Sequence, residues 1–454
     1  MTSHTDLHGI TRGERALVLK PVLKSEFSHR DTNNTLEEAV GLALAIDLDV
    51  IGSAIISLAR TVPATLFGKG QVELQRDLIK EHLIDLVVVD RTLSPVQQRN
   101  LEKEWKCKVI DRTGIILEIF GERARTREGQ LQVELAALDY QKSRLVRSWT
   151  HLERQRGGFG FMGGPGESQL EIDRRLINQR ILRLKSDLQQ VRRTRSLQRD
   201  TRQRAEHPTI ALVGYTNAGK SSLFNRLTGA EVMVKNMLFA TLDPTMRGIK
   251  LPGGREAILS DTVGFISDLP THLVEAFRAT LEEVQEADLI LHVRDISHPE
   301  SAAQKKAVLN ILADLGISSL DERLIEVLNK IDLIPDNARK NIHSYAARTT
   351  WEVEHASPEL EGVRLEAKGG LIGVSALTGD GIPTLIELLN TRLLSYSQSY
   401  DITIPITDGA NLAWLYSHGH ILDKRTTKTK TYIKIELSEA DYGRFQSRFG
   451  KKGK

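Results

Sequence analysis

Apolar and polar positions alternate in two ways along residues 10–125. Short apolar runs predict buried strands, and stretches with an apolar position every three or four residues predict helices. The predicted strands cover residues 16–19, 53–58, 86–89 and 109–110. The predicted helices cover residues 35–45, 71–82 and 94–105. Because the two kinds of element alternate, this region is predicted to be a small α/β domain.

Residues 126–205 have a different pattern, with apolar side chains at alternating steps of four and three. One series is Leu131, Leu135, Leu138, Leu145, Trp149 and Leu152, with Lys142 in the missing place. The second series is Ile177, Ile181, Leu184, Leu188 and Val191. Such seams are typical of two helices packed together, and Ser168 with Glu171 forms a capping box that opens the second helix. The region is predicted to be an antiparallel helical hairpin.

The tip of this hairpin, residues 157–166, has six glycines in ten residues, and the second helix is basic, with eleven Lys/Arg against two Asp between Arg174 and Arg204. Charge for phosphates and rings for stacking are what contact with structured RNA uses. A solvated helix face is the alternative interpretation. The residues expected to contact RNA are Arg154, Arg156, Gly157, Gly158, Phe159, Phe161, Arg174 and Arg175.

Length and composition indicate the number of domains and the cellular compartment of the protein. A chain of 454 residues is long enough for three or four domains, and its net charge is only +3. The single cysteine, Cys107, excludes an intramolecular disulfide and suits a reducing compartment. The first residues are polar without the apolar core of a signal peptide, and no run approaches the ~20 apolar residues of a membrane span. We expect a cytoplasmic monomer.

The stretch Gly214-Tyr-Thr-Asn-Ala-Gly-Lys-Ser221 matches G-x-x-x-x-G-K-[ST] between a predicted strand at 209–213 and a predicted helix. Backbone N–H groups of such a turn cradle phosphates. Lys220 is expected to neutralise the β- and γ-phosphates, and the Ser221 hydroxyl to bind Mg²⁺. A glycine turn that matches by chance is the alternative.

Two later segments fit the same chemistry. Thr241 precedes Pro244 and could ligate Mg²⁺ and sense the γ-phosphate, with Thr245 as the rival for this role. An apolar strand at 257–259 leads into Asp261-Thr-Val-Gly264. Asp261 is expected to orient the Mg²⁺ shell and the Gly264 amide to meet the γ-phosphate. Lys220, Thr241 and Gly264 are therefore the expected catalytic groups, and Ser221 and Thr241 the expected metal ligands.

A third segment predicts which base the bound nucleotide carries. An apolar strand at 324–328 ends in Asn329-Lys-Ile-Asp332. An Asp carboxylate can accept both the ring and the exocyclic N–H donors of guanine, which adenine does not present, so Asp332 predicts selection of GTP. Asn329 is expected to hold the loop and the base edge, and the Lys330 stem to cover the ring. Residues 373–377 supply a second base-facing loop.

The full set of expected GTP-binding residues follows these motifs. It is Gly214, Tyr215, Thr216, Asn217, Ala218, Gly219, Lys220, Ser221, Phe239, Ala240, Thr241, Leu242, Asp243, Asp261, Thr262, Val263, Gly264, Asn329, Lys330, Ile331, Asp332, Ser375, Ala376 and Leu377.

Two positions suggest how hydrolysis is controlled. Phe265 follows Gly264 where many switch GTPases have a glutamine that orients water, and a phenyl ring cannot do so by hydrogen bonding. We therefore expect slow unaided hydrolysis that a partner completes. Asn217 could help to hold K⁺ beside the phosphates, as in some GTPases, or be a plain turn residue.

The remaining chain divides around these motifs. The predicted domains are residues 10–125, the hairpin at 126–205, a nucleotide domain at 206–397 and a small α/β unit at 398–454. In the nucleotide domain, residues 335–370 are a long polar excursion that contains a predicted helix at 338–348. A second helix is predicted after it, at 383–394. In the last unit, strands are predicted at 401–406 and 430–437, a helix at 409–418 and a basic tail at the end.

The sequence resembles the HflX family of bacterial ribosome-associated GTPases over essentially its full length. The resemblance is carried by residues 149–158 (WTHLERQRGG), 165–175 (PGESQLEIDRR), 214–221, 239–245 (FATLDPT) and 261–265 (DTVGF). It implies an N-terminal α/β domain, a helical hairpin, a Ras-like GTPase domain and a small C-terminal domain. It also implies Mg²⁺-dependent, ribosome-stimulated hydrolysis of GTP to GDP, binding of the 50S subunit and its 23S rRNA, and splitting of stalled or idle ribosomes under stress.

Two alternatives remain open from the sequence. One is an RNA remodeller whose N-terminal domain uses ATP, although a second phosphate loop is absent from the sequence. The other is a GTPase that assists ribosome or tRNA maturation, with the hairpin holding precursor RNA.

Overall fold

A computed structural model gives the architecture. It describes residues 11–24, 32–149, 169–203, 208–229, 238–239, 241–242, 245–267, 281–346, 370–395, 397–418, 420–438, 442–443 and 445–446. Several predictions lie outside these residues: the hairpin tip at 157–166, most of the excursion at 335–370, the basic tail, and Arg154, Arg156, Ser168, Ala240 and Asp243.

The first sheet has four parallel strands in the order β2-β1-β3-β4. Its elements are β1 (Arg15–Leu23), α1 (Thr32–Leu44), β2 (Asp49–Leu58), α2 (Lys69–Glu81), β3 (Leu86–Val89), α3 (Pro95–Trp105), β4 (Lys108–Asp111) and α4 (Arg112–Arg123). All four residues of β3 are buried, because helices cover both faces of a central parallel strand. Gly68, shortly before the predicted helix at 71–82, is the N-cap of α2.

Helix α4 is an element that the sequence pattern did not predict. Asp111 ends β4 and caps the helix by accepting a hydrogen bond from the Gly114 N–H at 2.8 Å. The same carboxylate accepts hydrogen bonds from Tyr140 at 2.6 Å and from Arg144 at 2.7 Å. Helix α4 is thereby anchored both to its own sheet and to the helix that follows.

Two long helices follow, α5 (Arg127–Trp149) and α6 (Gln169–Gln203). Leu131, Leu184 and Leu188 are buried in one cluster between them. Arg180 pairs with Glu134 at 2.7 Å, so positions further along α5 meet positions further back along α6. The two helices therefore run antiparallel, as a hairpin requires.

The second sheet has six strands in the order β10-β9-β8-β5-β7-β6, all parallel except the edge strand β6. Its strands are β5 (Thr209–Gly214), β6 (Thr245–Lys250), β7 (Glu256–Asp261), β8 (Leu289–Asp295), β9 (Leu324–Asn329) and β10 (Leu371–Gly373). Its helices are α7 (Lys220–Thr228), α8 (Ser301–Asp314), α9 (Asp336–Ala346) and α10 (Ile382–Ser395). The carboxyl ends of the parallel strands lie at one edge, where ligands bind in such folds.

The third sheet is antiparallel, in the order β11-β13-β12. It consists of β11 (Ser397–Pro405), β12 (His420–Thr426) and β13 (Lys430–Ser438), with helix α11 (Gly409–His418) between the first two. Ile402, Ile433 and Leu415 meet in its core.

The predicted α/β fold class, with its Ras-like domain between smaller units, is confirmed. Within the described residues, no helix has the length and apolarity that crossing a membrane requires.

Candidate nucleotide-binding site

The turn between β5 and α7 can adopt its path only with glycine at two positions. A Cβ on Gly214 would come within 2.2 Å of the Val293 carbonyl oxygen, so this residue passes in direct contact with β8. Gly219 has φ +92° and would place a Cβ 2.2 Å from the Asn329 side-chain nitrogen. The predicted phosphate loop therefore lies against the strands that carry the other motifs, with the N-terminus of α7 directly after it.

Lys220 is buried at the centre of this turn. Its ammonium donates hydrogen bonds to the carbonyl oxygens of Gly214 at 3.1 Å and Tyr215 at 2.8 Å. Burial lowers the pKa of Lys220 to about 8, and nearby Asp261 opposes this shift. Because burial disfavours the charged form of Lys220, an anion placed beside the ammonium would stabilise that form. Pairing with a phosphate in this way is the role of the lysine in a phosphate site.

Three oxygen-bearing side chains converge beside the lysine. Asp261 Oδ2 accepts hydrogen bonds from Ser221 Oγ at 2.8 Å and from Thr241 Oγ1 at 3.0 Å. The two hydroxyl oxygens are themselves 3.0 Å apart. Thr241 therefore stands at the cluster in the described residues, whereas its rival Thr245 begins strand β6 and pairs with Asp261 through the backbone register.

This cluster fits a magnesium ion by its chemistry. Mg²⁺ prefers hard oxygen donors and is held through one or two protein groups together with substrate phosphates. Asp261 Oδ1 is buried without a hydrogen-bond partner, and burial raises the pKa of this carboxyl group. A cation at this position would satisfy the orphaned oxygen and offset the cost of burying the charge.

Asn329, at the carboxyl end of β9, connects two loops of the site. Its side-chain nitrogen donates to the Ala218 carbonyl at 2.8 Å, and its oxygen accepts from the Ala376 N–H at 3.0 Å. The residue is 1% exposed. Asn329 thus links the phosphate loop to the loop after β10, which is more than the sequence had suggested for it.

The other residues predicted to contact the base lie in the loop that follows Asn329. Lys330 adopts a left-handed conformation, φ +66°, and its ammonium pairs with Asp295 at 2.7 Å. Asp332 Oδ1 is buried without a hydrogen-bond partner. A buried carboxylate oxygen without a partner is what a ligand carrying N–H donors would satisfy. Ile331 is fully buried in the core beneath the loop.

The loop after β10 is held by its own hydrogen bonds. Ser375 is buried; its hydroxyl accepts from the Thr378 N–H at 3.0 Å and its N–H donates to Asp380 at 2.9 Å. Ala376 is nearly buried, and Leu377 is 79% exposed. The side chain of Arg226 in α7 bonds to the carbonyl oxygens of Ala376 and Leu377. This loop is therefore tied to both Asn329 and α7.

The segment after Asp261 runs directly over the phosphate loop. Thr262 donates to the Leu212 carbonyl at 2.6 Å, and Val263 is nearly buried. Phe265 pairs with the loop through its backbone: its N–H donates to Gly214 at 3.0 Å, and its carbonyl accepts from Thr216 at 2.8 Å. The Phe265 ring is 3% exposed and packs in a hydrophobic cluster, so it presents no polar group to the site.

Phe239 and Leu242 bury their side chains in a hydrophobic cluster and not among these oxygens. Asn217 is exposed with φ +58°, and Leu242 is buried in the same cluster as Phe265. The Phe239 ring also packs into that cluster and meets Phe120 of α4 edge to face. Arg174 and Arg175 are exposed on α6.

The site includes residues that the sequence pattern did not indicate. Asp295 pairs with Lys330, and it could have been found as the acid at the end of the buried strand β8. The Glu38 carboxylate accepts from the Tyr215 hydroxyl across 177 positions, and Ser267, which also contacts Tyr215, accepts from Arg112 across 155; no local pattern signals such contacts.

A parallel sheet with a phosphate loop after its first strand, an Asp-led segment after its third and an Asn-x-x-Asp loop after β9 defines a P-loop GTPase. Four family models match the chain in succession. They are described as "GTP-binding GTPase N-terminal" over residues 33–121, "GTP-binding GTPase Middle Region" over 123–202, "50S ribosome-binding GTPase" over 209–330 and "HflX C-terminal domain" over 362–454.

The chain is also similar to individual proteins. The chain is 47% identical to the GTPase HflX of Magnetococcus marinus, over 97% of this chain and 96% of that protein. It is 44% identical to the GTPase HflX of Escherichia coli K12 over 76% of each. A GDP complex of a GTP-binding protein from Sulfolobus solfataricus aligns with 84% of this chain and 99% of that one at 23% identity and a TM-score of 0.44. The chain belongs to the HflX family, and it is a GTPase that binds and hydrolyses GTP.

Proposed function

We propose that this GTPase binds the large ribosomal subunit and uses GTP binding and hydrolysis to split stalled or idle ribosomes. The observation that carries the nucleotide part is the convergence of Ser221, Thr241 and Asp261 beside the buried Lys220. The ribosomal part is supported by the family model over residues 209–330, whose description is that of a 50S ribosome-binding GTPase.

Each residue on the phosphate side of the site has its own role. Lys220 neutralises the β- and γ-phosphates, and backbone N–H groups of residues 214–221 bind their oxygens. The Gly264 N–H meets the γ-phosphate, because its segment lies over the loop, where an ideal Cβ would come within 3.0 Å of Lys220 Nζ. Ser221 and Thr241 would ligate Mg²⁺, and Asp261 would orient the shell of the ion. The ion would supply charge stabilisation for the departing phosphate.

Guanine is selected at the loops after β9 and β10. Asp332 accepts the ring and exocyclic N–H groups of guanine with its carboxylate, whose Oδ1 is buried without a hydrogen-bond partner. Asn329 keeps the base-binding loop and the phosphate loop in register through its two hydrogen bonds. Residues 375–377 close the site beside the base, and the Lys330 stem, held by Asp295, covers the ring.

Hydrolysis is expected to be slow without a partner. The Phe265 ring is buried in a hydrophobic cluster and has no hydrogen-bonding group, so it cannot orient the attacking water. The ribosome supplies the missing group or geometry. Asn217, exposed in the phosphate loop, is the candidate for holding K⁺ there.

The helical hairpin is the proposed contact with 23S rRNA. Arg174 and Arg175 are exposed on α6, on the basic stretch that leads away from the tip. Arginine guanidinium groups neutralise phosphates, and Arg154, Arg156 and the glycine- and phenylalanine-containing residues 157–161 would contact the RNA at the tip. The protein would act as a cytoplasmic, ribosome-associated monomer.

Co-sedimentation tests this proposal. The wild-type protein and a variant lacking residues 157–166 are centrifuged with mature 50S subunits, with subunit precursors and with tRNA, each in the presence of GDP or a non-hydrolysable GTP analogue. We expect binding to mature 50S subunits in the presence of the analogue. The deletion should weaken that binding while the affinity for nucleotide stays unchanged. Binding to precursors or tRNA alone would contradict the proposal and support a maturation factor.

A further inference from the structure

Arg226 joins the end of α7 to the loop that follows β10. Here the base loop is residues 375–381, between β10 and α10. The Arg226 guanidinium donates from Nε to the Ala376 carbonyl at 3.1 Å and from Nη2 to the Leu377 carbonyl. It also lies beside Gly379, where an added Cβ would be 3.7 Å from Arg226 Cζ. One side chain of α7 therefore contacts the base loop at several of its residues.

The base loop has hydrogen bonds of two kinds. Bonds within the loop fix its shape, such as the one from the Gly379 N–H to the Ser375 carbonyl at 2.8 Å. Bonds to side chains outside the loop fix its place in the domain. Asn329 accepts from the Ala376 N–H at 3.0 Å, and Arg226 donates to the carbonyl oxygen of the same residue. The backbone of Ala376 is thus held at both of its polar groups, from β9 and from α7.

The part of the base loop that is proposed to lie beside the base is anchored unequally. Ser375 is fully buried at one end of this part, whereas the Leu377 side chain at the other end is 79% exposed. A segment with few buried apolar contacts opens more easily than the core around it. Because packing does not hold Leu377, the bond from Arg226 to its carbonyl oxygen fixes that end of the segment.

Arg226 lies away from the phosphate side of the site. Lys220 and Ser221 begin α7, whereas Arg226 is in the last turn of this helix. With the rise of an α-helix, the Cα atoms of Lys220 and Arg226 are about 9 Å apart along the axis. An arginine in the last turn commonly binds the last carbonyl oxygens of its own helix. Here two of its donors bind the base loop, so α7 reaches the phosphates at its first turn and the base loop at its last.

We propose that Arg226 is a positioning residue for guanine, which holds the base loop beside the base and thereby sets how long a guanine nucleotide stays bound. The proposal rests on the nucleotide site proposed above. Without the guanidinium, the carbonyl oxygens of Ala376 and Leu377 lose these bonds, and the loop moves away from the base more often. GDP and GTP carry the same base, so both dissociate faster by the same factor. The phosphate and metal contacts are unchanged, so GTP that is already bound is hydrolysed at the same rate.

The first test compares dissociation rates of variants of the full chain. Arg226→Ala removes both bonds, and Arg226→Lys keeps one compact charged donor without the fork that binds two carbonyl oxygens. Fluorescent GDP or the non-hydrolysable analogue GppNHp is bound to each variant, and its release into excess unlabelled GDP is followed by stopped flow. Because Arg226 is exposed, its bonds are weaker than buried ones. We expect Arg226→Ala to accelerate the release of both nucleotides about tenfold, and Arg226→Lys about threefold.

The matched control is Arg323→Ala in the same domain. Arg323 also donates to two carbonyl oxygens, those of Gln285 at 2.9 Å and Ala287 at 3.1 Å, but it lies before β9, at the opposite edge of the sheet. Its loss should change the release of either nucleotide by less than about twofold. Thermal unfolding checks that each variant is folded. Equal acceleration by Arg323→Ala would indicate a general loosening of the domain and would overturn the proposal.

The second test separates positioning of the base from damage to the whole site. Radiolabelled GTP is mixed with protein in large excess, so that all of it is bound, and a single turnover is followed. We expect Arg226→Ala to hydrolyse bound GTP within about twofold of the wild-type rate. The proposal is overturned if this variant releases both nucleotides at the wild-type rate, or slows the single turnover as much as it accelerates release. Failure of the wild-type protein to bind guanine nucleotides would instead refute the proposed site.

Discussion

Replacing Asn329 by alanine is the sharpest single test of the nucleotide site. The substitution removes two hydrogen bonds, to Ala218 in the phosphate loop at 2.8 Å and from Ala376 in the base loop at 3.0 Å. Because the residue is 1% exposed, the two backbone groups would be left unpaired in the interior. Each such group costs about 1–3 kcal/mol.

The expected loss follows from these two bonds. Allowing for relaxation of the loops, we expect guanine nucleotides to bind more weakly by about 2–4 kcal/mol, which is between about 30-fold and a thousandfold. GDP and GTP should lose affinity equally, because the bonds of Asn329 hold the base and phosphate loops and do not distinguish the γ-phosphate. The assay is a titration of fluorescent GDP and GppNHp into the purified variant.

The control is Asn100→Ala, which removes one side-chain hydrogen bond, to Ala64 at 2.9 Å, from a half-buried position of the N-terminal domain. This variant should bind both nucleotides as the wild type does. If Asn329→Ala retained an affinity within about threefold of wild type while remaining folded by circular dichroism, the linking role of Asn329 would be refuted.

Three further predictions concern the base, the lysine and the cysteine. Asp332→Asn should lower GTP binding by at least about a hundredfold and improve XTP binding, because an amide can donate to the 2-oxygen of xanthine; unchanged selectivity in competition titrations would contradict this. Because burial lowers the pKa of Lys220 to about 8 without nucleotide, GDP affinity should be constant below pH 8 and fall above it, with proton uptake on binding that calorimetry in two buffers measures. Burial raises the pKa of Cys107 to about 12, so alkylation of the native protein at pH 7.5 should be far slower than that of the unfolded chain, and equal rates would refute the expectation.

The strands and helices with a clear pattern were predictable, whereas a helix buried on every side and a strand that is largely exposed were not. Helix α4 is buried from Arg112 to Phe120, so it lacks the polar face that reveals a helix by its period. Strand β12 has the opposite difficulty, since its residues from Leu422 to Thr426 are exposed. Its place in the sheet follows from pairing with β13, which is a tertiary fact.

The motifs of the site were visible in the sequence because they are local. A glycine at a position with no room for a Cβ, a lysine beside a turn and an acid at the end of a strand can each be recognised from the residues next to them in the sequence. The contacts between motifs were not visible: the bonds of Asn329 reach residues 47 and 111 positions away, and Arg112 meets Ser267 across 155. Such contacts depend on how the sheets and helices pack, which the local pattern does not encode.

GTP hydrolysis with and without ribosomal subunits tests the central claim most directly. Purified full-length protein is mixed with radiolabelled GTP, or with ATP as the control, and phosphate release is followed alone, with 50S subunits and with 30S subunits. The account predicts slow release from GTP by the protein alone, strong acceleration by 50S subunits only, and little release from ATP under any condition. A fast rate that 50S subunits leave unchanged, or equal hydrolysis of ATP, would contradict it.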